Sequence, residues 1–326
     1  MWHERQGLIE MVSRLCDAVR SSVRPMLGRA SAKASVGQGA TGDTTFGIDE
    51  VAENTVVDFL NGVGDVAFYT EDRGLVVVGR PEHILVIDPI DGTRPAAAGL
   101  ESCCVSVAVA PYADGADRTL TLGDVFLGAV VEIKNDAAYL GLRGHGTRFE
   151  RDGCAFEPAL SEKTDLNSIF WTAGFRGRAA EPLVTVLSEL IDLTSVDGGC
   201  FDLGSATFCI SRVVTGEMDA YVDIGQRMAD EIEQVRLAFL EIGHGAILTN
   251  YPYDLAAAVL IAREAGAVVT DARGRTLDTY PLVPSGGGGQ LSSMVSANET
   301  LHRLLMEQME RGMERLGSRY GSRPAV

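Results

Sequence analysis

Ile84-Leu85-Val86-Ile87-Asp88-Pro89-Ile90-Asp91-Gly92-Thr93 is the stretch on which the reading of this chain turns. Four apolar residues in a row read as a buried strand, and two carboxylates three residues apart follow where it ends. Pro89 restricts Asp88 to extended geometry and Gly92 permits a tight turn, so both acids sit on a stiff loop. Hard oxygen ligands for a divalent cation are presented in this way. Taken alone, the same residues also describe an Asx-type turn after a strand. The rest of the chain decides between the two.

At 326 residues, either one large domain or two packed halves can bury a substantial core. Composition is that of a globular protein, 46% hydrophobic and 22% charged. A net charge of −17 with no long basic run argues against a nucleic-acid partner. Six cysteines without C-x-x-C spacing, and a polar start without a signal-peptide pattern, point to reduced thiols in a cytoplasmic protein. No apolar run is long enough to span a bilayer, so no membrane partner is expected. The scattered histidines show no zinc-binding spacing.

Upstream, Leu8, Val12, Leu15, Val19 and Val23 recur at helical spacing. Residues 31–45 read as a mobile loop rich in Gly, Ser and Thr. A second helix is expected from Asp49, with Ala52, Val56, Phe59 and Leu60 inward and with Glu50 and Glu53 pairing with the helix dipole. Residues 66–69, 102–110, 125–132 and 137–141 read as strands, the last two joined by the hairpin signal Lys134-Asn135-Asp136. Helices followed by strands in succession make an α+β half over residues 1–155, bounded by the turn-rich segment 141–157.

The remainder, 156–326, alternates as α/β. Strands are expected at 168–172, 220–222, 267–270 and 294–297, and helices at 182–190, 204–215, 229–242, 254–265 and from Leu301 to Met309. The helix over 229–242 would turn Ile232, Val235, Phe239 and Ile242 to one face, and Asp254 would be an N-cap. Residues 285–289 read as a flexible loop.

Asp49, Glu71, Asp88, Asp91 and Asp254 all lie at element ends. Were they to converge, each like-charged pair at ~4 Å would cost roughly 4 kcal/mol at an effective dielectric near 20. Only cations make such a cluster tolerable, and all-oxygen donors favour Mg²⁺.

Asp88-Pro89-Ile90-Asp91-Gly92-Thr93 resembles the D-P-[IL]-D-G-T signature of the inositol monophosphatase family of Mg²⁺-dependent, lithium-sensitive phosphatases. Five further stretches resemble the family's motifs in order. They are Asp49-Glu50-Val51-Ala52-Glu53, Thr70-Glu71-Asp72, Gly204-Ser205-Ala206-Thr207, Met218-Asp219-Ala220-Tyr221 and Tyr253-Asp254-Leu255-Ala256-Ala257-Ala258. The resemblance implies a layered α-β-α-β-α sandwich, a homodimer, and two or three Mg²⁺ ions per site. It implies that Glu71, Asp88 and the Ile90 carbonyl hold the first metal, that Asp88, Asp91 and Asp254 hold the second, and that Glu71 helps with a third. Thr93, oriented by Asp49, would activate the attacking water. Gly92, Thr93 and Ala206 would bind phosphate, and Asp223 the substrate's hydroxyls.

The expected activity is hydrolysis of a small polyol or sugar phosphate. A sugar bisphosphate, a nucleotide 3′-phosphate and a histidinol-type phosphate are alternative substrates. A non-catalytic, regulatory binding protein on the same scaffold is the competing class. Several positions depart from the family pattern. Arg94-Pro95-Ala96 stands where the family has Thr-Asn-Phe, Phe46 stands where it has Thr, and Asp254 follows Asp223 only after 31 positions. That long interval reads equally as a lid, a dimer contact or a packing helix.

Overall fold

The computed structural model describes residues 2–38, 44–112, 119–284 and 288–320. In the N-terminal half the helices are α1 (Gln6–Val23), α2 (Gly47–Val63) and α3 (Thr93–Ala98). Its strands are β1 (Ser35–Gln38), β2 (Thr44–Phe46), β3 (Val66–Thr70), β4 (Gly74–Val78), β5 (His83–Asp91), β6 (Cys104–Pro111), β7 (Leu127–Glu132), β8 (Ala137–Leu142), β9 (Thr147–Arg151) and β10 (Cys154–Phe156). Then follow β11 (Phe170–Ala173), α4 (Ala180–Leu193), β12 (Gly199–Phe201), α5 (Ala206–Val214), β13 (Ala220–Asp223), α6 (Gly225–Glu231) and α7 (Glu233–Ile242). The chain closes with α8 (Pro252–Glu264), β14 (Val268–Thr270), β15 (Ser293–Ser296) and α9 (Glu299–Tyr320).

Among the described residues, an eight-stranded sheet runs β10-β9-β8-β7-β6-β5-β3-β4 and a five-stranded sheet runs β12-β11-β13-β15-β14. The apolar run in β5 follows from burial on both faces. Leu85 and Ile87 pack under α1 and α2, while Ile84 and Val86 face α5 and α8. Tyr221 and Val295 of the second sheet join that middle layer, and Trp171, Val222 and Met294 turn outward to α4, α6, α7 and α9. The layers are therefore α-β-α-β-α, as the resemblance implied. Helix α8 is buried on nearly every side because sheets lie on both sides of it. At about 2 kcal/mol for a buried Val, Leu or Ile side chain, this middle layer is a main source of cohesion between the sheets.

Several local expectations need correction. Residues 31–45 are not simply loop, because β1 and β2 pair antiparallel there; residues 39–43 lie outside the described set. Of the loop expected at 285–289, residues 285–287 also lie outside it. Strands β4, β9, β10 and β12 carried no clear sequence signal. All four have exposed residues alternating with enclosed ones or little burial at all, and their pairing partners are sheet neighbours already in place.

The helix expected over 229–242 breaks at Ile232, whose backbone is extended (φ −134°, ψ 104°). Ile232, Val235 and Phe239 do enter the outer core, but the break rotates α7 and leaves Ile242 54% exposed. The packing role thus accounts for this stripe. Helices α2 and α8 begin two residues before Asp49 and Asp254, so neither acid is an N-cap. Each is the third helical residue and accepts the N–H of the residue preceding the helix: Phe46 at 2.8 Å and Tyr251 at 2.6 Å.

Candidate active site

Parallel pairing of β3 with β5 places Thr70 opposite Ile87. The residues that follow are Glu71, just past the end of β3, and Asp88, among the last residues of β5, near the carboxyl ends of the strands, where ligands of open α/β sheets bind. Between Asp88 and Asp91 the register with β6 shifts, and this bulge turns both acids toward one side. Asp88 Oδ1 accepts the Ile90 N–H at 3.0 Å, so the Asx turn and the acid pair coexist in one loop. Gly92 ends the loop at φ +96°, and a Cβ there would fall 2.3 Å from the Ser102 carbonyl oxygen. No other residue fits.

Asp91, Asp88 and the distant Asp254 bring carboxylate oxygens within 4.8 Å of one another. They stand in the wall of a cleft of about 360 Å³ that is also lined by Asp49, Glu71, Ile90, Gly92, Thr93 and Ala206. Helices α2, α3, α5 and α8 all begin at this cleft, so the positive ends of their dipoles favour anions there. Asp91 Oδ2 accepts from Ser205 Oγ at 2.8 Å and from the Thr207 N–H at 2.5 Å, fastening α5 to β5. Thr207 Oγ1 donates to the Asp254 carbonyl at 2.7 Å and fastens α8 in turn. Thr93 Oγ1 donates to the Ile90 carbonyl at 3.2 Å.

Of the expected site residues, Asp223 alone is kept from the cleft wall. It is 1% exposed and paired with Arg178. Sequence reading missed Arg176, Arg178 and Asp202, which also line the cleft. Nothing local marks them, since strand pairing far along the chain brings them there. Arg94 lies half-buried in the cleft with its guanidinium 5.6 Å from the Phe46 ring, so two departures from the family pattern pack on one another. Tyr253 stacks on Tyr251 with ring centroids 5.4 Å apart.

The electrostatics are those of a crowded acid cluster. Desolvation, then the charges of Asp91, Asp254 and Glu71, push Asp88 well above the usual carboxylate range. Desolvation also raises Asp91, against the hydrogen bonds from Thr207 and Ser205. Asp254 is pushed up to about 7 by desolvation and by Asp91. Such a set suits a hard divalent cation: the donors are oxygens only, and a positive ion relieves both the burial and the repulsion.

Glu53 is a correction of another kind. It does not pair with the helix dipole in solvent but is 4% exposed, and it accepts from Thr70 Oγ1 at 2.9 Å and from the Asp72 N–H at 3.4 Å. It thereby braces the turn that presents Glu71. Desolvation raises it to about 7. An acid raised on folding loses stability as pH climbs from its unfolded value near 4.5 toward 7. Glu53→Gln removes a charge worth about 3 kcal/mol above pH 7 and weakens one long hydrogen bond worth about 1 kcal/mol. Denaturant titration is expected to show a gain of about 2 kcal/mol at pH 8 and a loss of about 1 kcal/mol at pH 4; equal effects at both pH values would contradict a buried, charge-strained Glu53.

Comparison with known proteins agrees with this geometry. The model of the inositol monophosphatase family matches residues 6–314. The chain is 28% identical over 304 residues to a fructose-1,6-bisphosphatase/inositol-1-monophosphatase of Methanothermobacter thermautotrophicus, covering 91% of this chain and 94% of that protein. It is 25% identical over 317 residues to a bifunctional NADP phosphatase/NAD kinase of Methanocaldococcus jannaschii, covering 91% of this chain and 49% of that protein, about half its length. Among solved structures, an IMPase of Thermotoga maritima superposes with a TM-score of 0.68 over 95% of this chain and 100% of that one, a likeness of fold at 19% identity. With the ordered motifs, the layered fold and a match along nearly the whole chain, this protein belongs to the inositol monophosphatase family.

Proposed function

We propose that this chain is a Mg²⁺-dependent phosphomonoesterase acting on a small polyol or sugar phosphate. The observation that carries the reading is the convergence of Asp88, Asp91 and Asp254 within 4.8 Å in a cleft with helix N-termini around it. In this reading Glu71, Asp88, the Ile90 carbonyl, Asp91 and Asp254 hold the metal, two or three ions in all. Bound there, divalent ions supply Lewis acidity to the phosphoryl oxygens and lower the pKa of water.

The chain's own groups do the rest. The N–H groups of Gly92, Thr93 and Ala206, at the first turns of α3 and α5, donate to phosphate oxygens and stabilise charge that grows during in-line displacement. The Thr93 hydroxyl, held beside the Ile90 carbonyl, orients the attacking water, and Asp49 at the start of α2 accepts its proton. The buried loop leaves these donors little freedom to reorganise, which favours the transition state over the bound ester.

A panel of myo-inositol 1-phosphate, fructose 1,6-bisphosphate, NADP, a nucleoside 3′-phosphate and histidinol phosphate tests the reading by release of inorganic phosphate. Turnover of a sugar or polyol ester with Mg²⁺, abolished by EDTA, is expected. Metal binding without turnover of any ester would favour a regulatory protein on this scaffold instead.

A further inference from the structure

β11 and β13 run parallel, with Ala173 opposite Val222, so the loop leaving β11 stands beside the first turn of α6. Arg178 joins the two. Its side chain is 4% exposed, its Nη2 pairs closely with Asp223 Oδ2, and its Nη1 donates to the Arg176 carbonyl. The other oxygen of Asp223 accepts the Gly225 N–H at 2.9 Å. With both oxygens engaged and its side chain wholly enclosed, Asp223 has no path to a substrate hydroxyl. Arg178 Nε lies against the α-carbon of Gly225, where a Cβ would fall 2.4 Å away. The seat of this guanidinium therefore requires glycine at 225.

A buried ion pair is costly to break on one side only, so the pair acts as a clamp rather than as two separable charges. What it clamps is the loop bearing Arg176, which lines the cleft together with the carboxylates and whose charge acts on Asp91 and Asp254.

We propose that Arg178 is the positioning residue of this wall: with Asp223 as its buried counter-charge it pins residues 174–178, sets Arg176 toward the leaving group, and removes Asp223 from substrate contact. The proposal rests on the phosphatase reading and deepens it. Selectivity follows the chemistry of the wall, favouring an ester with a second anionic group over one whose leaving group is a neutral polyol.

The test compares fructose 1,6-bisphosphate, which carries a second phosphate, with p-nitrophenyl phosphate, which carries none. Arg178→Met is expected to raise KM for the bisphosphate about tenfold, the loss of one oriented charge-assisted contact, while kcat stays nearly constant. The ratio of kcat/KM between the two esters should fall correspondingly, and Arg178→Lys should recover part of it. Gly225→Ala keeps both charges yet displaces the guanidinium, and should reproduce the rise in KM. Asp223→Asn should raise KM in the native background and add nothing in the Arg178→Met background.

Equal effects of Asp223→Asn in both backgrounds would make Asp223 a direct substrate contact and overturn the proposal. So would an Arg178→Met variant that loses both esters alike, as loss of fold would produce; thermal melts of each variant accompany the kinetics. Should the native chain hydrolyse neither these two esters nor any other of the panel, the phosphatase reading fails by itself. Calorimetric titration with fructose 1,6-bisphosphate then reads the same variants, with the same pattern expected in affinity and its absence counting against the clamp.

Discussion

Asp88→Asn is expected to lower turnover by about 10³-fold or more while leaving the metal-free protein as stable as before, or more so. The two halves of this result have one cause. Asp88 is 4% exposed and faces the charges of Asp91, Asp254 and Glu71, so its ionised form is unfavourable without a cation. Asparagine retains an oxygen for the Ile90 N–H, which the Asp88 carboxylate accepts at 3.0 Å, and discards the charge. A factor of 10³ corresponds to about 4 kcal/mol of lost transition-state stabilisation. Asp91→Asn should behave similarly in turnover but gain less stability, because the Asp91 carboxylate is already engaged by Ser205 and Thr207. Near-normal rates in both variants would remove these acids from the site. Loss of activity with a falling melting temperature would mean only that the fold had been damaged. Sites that trade stability for function in this way are common where charges are packed for catalysis.

The second large effect is the dependence of stability on pH and Mg²⁺. Asp88, Asp91 and Asp254 are all raised by folding, Asp254 from 3.8 to about 7. While they hold extra protons the folded chain binds more than the unfolded one, so stability falls as pH rises, the Asp254 contribution being lost by about pH 7. For Asp254 alone, a shift of roughly three units corresponds to about 4 kcal/mol. In EDTA the melting temperature is therefore expected to drop between pH 5 and pH 7.5. On the proposed function Mg²⁺ would compete with protons for the same oxygens, so it should restore stability at pH 7.5 and above and do little at pH 5. The check is a set of melts at several pH values with Mg²⁺ or EDTA. A Mg²⁺ effect of the same size at pH 5 and pH 8 would show that the ion binds elsewhere. The same competition predicts an acid limb in the activity profile near neutrality.

Much of this molecule could be read without coordinates, and the reason is locality. Asp88, Pro89, Asp91 and Gly92 encode a turn through contacts spanning two or three residues: an Asx bond, a restricted φ and a left-handed glycine. Helix periodicity in α1, α2 and α9 likewise comes from neighbours three and four apart, and it gave the buried faces nearly correctly. The apolar run ahead of Asp88 marked a buried strand, the succession of elements marked an α+β half followed by an alternating one, and the resemblance to the family implied the layers.

What only the tertiary structure decided depends on residues far apart in sequence. Asp254 meets Asp88 and Asp91 because α8 sits between two sheets, and no spacing encodes that meeting. Glu53 looked like a solvated helix-start acid until β3 was laid across it. Asp223 looked like a substrate contact until the parallel pairing of β11 and β13 delivered Arg178 to it. Burial of a charge and the identity of its partner are properties of the folded neighbourhood, whereas a turn or a helix face is a property of the chain beside it. The loop at Asp88–Thr93 is thus written locally, and the cluster it joins is made only when distant elements pack.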